Sequence, residues 1–164
     1  MKANHLGVLI TTVLMLTVPV LAQTHNHEQH KSHQHQDHHD HNTAALTLDN
    51  GKKWPIDESL HLGMNNIKSA LVANIDAIHY DKFSALQYQA LAKQLDQQLH
   101  YLFEHCQLPA DADAQLHILL AKVMRASATM KSNQDQKQGA VAVIQALQDY
   151  PRYFNDPQWQ DLVH

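Results

Sequence analysis

From Asp57 to Leu147 apolar residues return every three or four positions, the spacing of one buried stripe on an α-helix. The first stripe is Leu60, Met64, Ile67, Leu71, Ile75 and Ile78, with Pro55 before it and Asp57 as the helix cap. His79-Tyr80-Asp81 reads as a tight connection in which Asp81 caps the second helix. That helix carries Phe83, Leu86, Leu91, Leu95, Leu99, Leu102 and Cys106, and stops near Leu108 because Pro109 pushes its predecessor out of helical geometry. Asp111 or Asp113 caps a third helix with the stripe Ala112, Leu116, Leu119, Val123, Ala126 and Met130, which the polar Ser132-Asn133-Gln134 ends. A fourth starts near Asp135, buries Ala140, Val143, Ile144 and Leu147, and ends before Pro151. In the tail, Tyr150, Tyr153, Phe154 and Trp159 are expected to cap one end of the core. Upstream, residues 43–54 form a connector in which Leu46 and Leu48 alternate with polar residues and Asp49-Asn50-Gly51 signals a turn. Four amphipathic helices with short links predict an all-α domain over residues 46–164, an antiparallel up-down-up-down four-helix bundle.

The beginning of the chain follows a different pattern. Lys2 precedes an uncharged apolar run from Leu6 to Val20, and Val20-Leu21-Ala22 has the form of a cleavage site. Residues 1–22 are therefore expected to be an export signal, with Gln23 the mature start and the periplasm the destination. The run is short of the roughly 20 residues of a membrane span, so the processed chain is not expected to span a membrane.

Residues 23–45 form a third region. THNHEQHKSHQHQDHHDHN contains His25, His27, His30, His33, His35, His38, His39 and His41 and no residue able to build a core, so its composition predicts a disordered leader. Imidazole binds borderline metals. Close pairs such as His25-x-His27, His33-x-His35 and His39-x-His41 offer many overlapping sets of two to four nitrogens. Such a leader suits several ions of copper, zinc, nickel or cobalt with little selectivity.

Charge and chemistry narrow the remaining classes. With 16 acidic and 12 basic residues the formal net charge is −4, against a nucleic-acid partner. The single cysteine, Cys106, excludes an intramolecular disulfide and any CxxC chemistry; it is open to burial, a dimer bridge or soft-metal ligation. If the first turn is centred between residues 80 and 81, His61 lies level with His100, and a second turn near residue 109 brings His117 to a similar height. Met64 is about one turn from His61, and Cys106 lies beyond His100. His61, Met64, His100, Cys106 and His117 are thus a candidate nitrogen and sulfur donor set at one end of the bundle.

No P-loop, GxSxG, HExxH or GxGxxG pattern occurs. A bundle di-iron site needs two Glu-x-x-His pairs, and only Glu58-Ser59-Leu60-His61 qualifies. Met64 could serve a haem, but no histidine stands at the end of the fourth helix. Neither an enzyme nor a haem protein is expected.

LDNGKKWPIDESLHLGMNNI, LPADADAQLHILLAKVM and GAVAVIQALQDYPRYFNDPQW resemble a family of small exported proteins with histidine-rich leaders, labelled DnrO-like, that accompany heavy-metal resistance genes. The resemblance spans about residues 46–160 and implies a periplasmic helical protein in a metal-handling setting; it assigns no functional residue. Buffering of metal ions, or their delivery to an efflux system, is the expected role. The alternative is a metal-responsive sensor or adaptor whose bundle docks onto a membrane signalling or efflux protein.

Overall fold

In a computed structural model, residues 45–162 are described. The export signal expected at 1–22 and all eight leader histidines lie outside the described residues. Those described form five helices and no strand. None of these helices is long and apolar enough to cross a membrane.

Helix α1, Glu58–Val72, starts as its sequence dictates: the Asp57 carboxylate accepts from the Leu60 N–H at 2.7 Å. Leu60, Met64, Ile67 and Leu71 are fully buried. The stripe does not continue as one helix, however. Asn74 turns its amide onto the Ala70 carbonyl at 2.8 Å, and the chain breaks before a short α2, Ile75–His79. Asparagine competes for backbone carbonyls in this way and is a poor helix-interior residue. Ile75 and Ile78 kept the period in register, which hid the break.

Helix α3, Ala85–His105, is capped by Ser84 and not by Asp81. Ser84 and Gln87 exchange side-chain and backbone bonds in a capping box, while Asp81 adopts a left-handed conformation with φ 55°. Leu86 is 77% exposed, and Tyr88 and Ala92 are buried in its place. Five residues before Leu91 is about 140° around the helix, off the face that Leu95, Leu99 and Leu102 bury.

Helix α4, Ala110–Lys131, begins directly after Pro109, so Asp111 and Asp113 lie inside its first turn, where their charge suits the helix dipole. Its predicted stripe is buried throughout, joined by Leu120 and Ser127. Helix α5, Gln136–Tyr153, follows Asp135, which has φ 56°. It does not stop before Pro151 but carries that proline in its last turn. Burial of Tyr150 and Phe154, both 0% exposed, holds the turn despite the lost backbone donor.

Helix α1 packs on α3, α3 on α4, α4 on α5, and α5 returns to α1. Helices α4 and α5 approach tightly at Gly139, where a Cβ would meet the Ala126 carbonyl oxygen at 2.7 Å. The two ends of the helical region are also joined. The Trp54 N–H donates to the Tyr153 carbonyl at 2.7 Å, and the Asn155 N–H donates to the Trp54 carbonyl at 2.8 Å. The predicted turn before Trp54 is present: Asn50 and Gly51 both have positive φ, and Asp49 and Lys52 exchange two backbone bonds at 2.8 Å.

Candidate functional site

The helices distribute the predicted bundle residues rather than gathering them. Met64 is fully buried in the α1 core stripe. His100 has its side chain 74% exposed and pairs with Glu104, one turn along α3, at 3.1 Å. His117 does the same on α4, with Asp113 at 3.3 Å and its ring 5.5 Å from Phe103. Cys106 caps the end of α3 and is half-buried. Height along a helix and facing around it are independent, so side chains at one level need not converge. His61, Met64, His100, Cys106 and His117 therefore do not form a common donor set. Among the described residues no group of three or more His, Cys, Asp or Glu is placed to hold a metal ion.

Burial first, then the negative charges of Asp57 and Asp113, push the Cys106 thiol up to about 12, so it stands as the neutral thiol near neutral pH.

His61 has a different setting, one whose partner the sequence did not reveal. It projects from the first turn of α1 toward the C-terminal tail, where its Nδ1 lies 2.8 and 3.0 Å from the two carboxylate oxygens of Asp156. The Asp156 side chain is 1% exposed, against 24% for His61. A buried carboxylate needs donors, and it has them: the Tyr150 hydroxyl at 3.0 Å and the Gln158 N–H at 3.1 Å. Burial, then the charge of Asp156, pushes the Tyr150 hydroxyl well above its usual range, so it remains a donor at all ordinary pH. The tail is held again two turns along α1, where Lys68 Nζ sits 4.0 Å over the Trp159 ring and donates to the Gln160 carbonyl at 2.9 Å.

The other imidazole nitrogen is not fixed in the same way. The Asn65 amide nitrogen lies 3.2 Å from Nδ1 and 3.1 Å from Nε2. The in-plane directions of the two ring nitrogens diverge, so an atom equidistant from both sits over the ring face and not along either direction. Nδ1 is thus engaged by Asp156, and Nε2 keeps its in-plane direction. An open cleft of about 430 Å³ lies alongside, with Ile56, Glu58, His61, Asp156 and Pro157 in its wall. Chemically the arrangement is an imidazole held at one nitrogen by a buried carboxylate, suited to accept a proton or a metal ion at the other. Asp156 and Tyr150 escaped the sequence reading as polar partners; the one available sign was an aspartate within an aromatic, proline-bearing tail.

No protein-family model, curated protein or solved structure matches this chain.

Proposed function

We propose that this is a periplasmic metal-binding protein that buffers transition-metal ions, or delivers them, in metal resistance. The observation that carries the reading is the run of eight histidines between His25 and His41. Their close pairs supply nitrogen donors without needing any fold, and copper leads the affinity order, with nickel and zinc behind it. Protons compete for the same nitrogens, so loading falls as the pH drops through the ordinary histidine range. The region 46–164 is, in this reading, an antiparallel four-helix bundle in which α2 is only a connector; the ring of contacts α1–α3–α4–α5–α1 supports it. The bundle is the folded carrier of a leader that provides capacity, and no catalytic step is assigned to it. The resemblance to DnrO-like proteins belongs to the same proposal and rests on the three phrases quoted above.

Calorimetric titration with Cu²⁺ and Zn²⁺ tests the reading. The processed chain is expected to take up several ions, and replacing the eight leader histidines by glutamine should remove most of that stoichiometry. Unchanged stoichiometry after the replacement would refute it.

A further inference from the structure

We propose that Glu58 and His61 form an open site for one divalent transition-metal ion, with Asp156 as the carboxylate that orients the imidazole. The inference depends on the metal-capture reading only for the class of ligand. Its geometry is independent of the leader.

Charge is the first argument. Asp156 is almost completely buried, and its hydrogen-bond partners are the Tyr150 hydroxyl, the Gln158 N–H and the His61 ring. Lys68, further along α1, is coupled to it electrostatically. A metal ion on His61 Nε2 would place a further positive charge across the ring from this buried carboxylate.

The second argument is the donor set. Glu58 and His61 are three residues apart on α1, a spacing that places two side chains on the same face, and both line the same cleft. Asp57, beside them, is already committed: its two oxygens accept from the Leu60 N–H at 2.7 Å and the Gln107 N–H at 2.6 Å. Glu58 is exposed and shares the cleft wall with His61, so its carboxylate is the oxygen donor available to an ion on Nε2. Two protein donors leave the remaining coordination positions to water or an incoming ligand, as in an exchange site and not a structural one.

The third is the outer shell. Metal-binding histidines characteristically donate their second N–H to a carboxylate, which fixes the ring and raises its basicity. Asp156 does this here and is itself positioned by Tyr150 and Gln158. The start of α1 opposes a cation with about half a unit charge, screened by solvent. Glu58 and Asp156 contribute two full negative charges and outweigh it.

The test uses Zn²⁺ alone, with full-length chain whose eight leader histidines are glutamine. We expect one Zn²⁺ per chain, lost in His61→Gln, weakened in Glu58→Gln, and weakened about 10- to 100-fold in Asp156→Asn. Circular dichroism and the fluorescence of Trp54 and Trp159 report whether each variant keeps its fold. Should His61→Gln or Asp156→Asn unfold, the exposed Glu58→Gln decides alone. Absence of Zn²⁺ binding, or binding that Glu58→Gln and His61→Gln leave unchanged, overturns the site. Multi-ion uptake by the unmodified chain would still support the leader, so the two readings fail separately.

Discussion

Two side chains, the half-buried Cys106 and the buried Tyr150, hold their protons more tightly in the folded chain than free side chains would. Cys106 is raised from 9.0 to about 12, chiefly by burial, and Tyr150 is raised from 10.0 by burial and by Asp156. Above pH 9 the folded state therefore binds more protons than the unfolded state, and stability falls as the pH climbs from 9 toward 12. Urea midpoints are expected to be level between pH 7 and about 8.5 and to drop by pH 10. Cys106→Ala should flatten the earliest part of that drop. A midpoint equal at pH 8 and pH 10 would contradict the burial of both groups. The same protonation makes the native Cys106 slow toward thiol reagents at pH 8, with full reactivity appearing only on denaturation. The sequence marked Cys106 and His61 as residues of interest but could not show their surroundings. His61 meets Asp156 across 95 positions of chain, and neither residue is unusual by itself. Such a pair follows from where the tail folds back, not from any local pattern.

Single elements were far more legible. Leu60, Met64, Ile67 and Leu71 on α1, and the whole Ala112–Met130 stripe on α4, are buried as their spacing required, because burying a face at 3.6-residue periodicity is a local property. Boundaries were read less well, since they depend on competing partners. Asn74 broke a helix whose apolar rhythm ran on, and packing of Tyr150 and Phe154 carried α5 through Pro151. Two substitutions test how elements are joined. Asp57 caps α1 and also accepts from Gln107 just beyond the end of α3, so Asp57→Ala should cost about 2 kcal/mol, read by urea denaturation. A Cβ on Gly139 would meet α4 backbone at Ala126 and Met130, whereas a Cβ on Gly63 would meet only side-chain atoms of Leu102. Backbone cannot step aside as a side chain can. Gly139→Ala should therefore lower stability by about 1–3 kcal/mol, more than Gly63→Ala, despite alanine's better helix propensity. Equal effects would mean that α4 and α5 are not locked at Gly139.

For the whole molecule, the leader and the Glu58–His61 site predict different thermodynamic signatures. In the proposed reading the leader histidines need no fold to bind metal, and a ligand that binds both states alike leaves the melting temperature alone. The Glu58–His61 site depends on a folded α1 and is strengthened by Asp156 of the tail, so a metal bound there stabilises the folded state. Saturating Zn²⁺ should raise the Tm of the unmodified chain, and the rise should shrink in Glu58→Gln and vanish in His61→Gln while most of the metal uptake persists. A rise unchanged in His61→Gln would place the coupling elsewhere. The region as a whole was recognisable as helical from its sequence, but its closure was not, because Trp54 and Phe154 are brought together by a backbone bridge spanning the entire helical region. That bridge has a topological consequence. With its two ends side by side, the helical region is a nearly closed ring of chain, and the order in which its helices are synthesised is dispensable. Opening new termini in the exposed Ser132–Asn133–Gln134 turn and linking the tail to the connector by a short flexible segment should give a circular permutant with the same five helices.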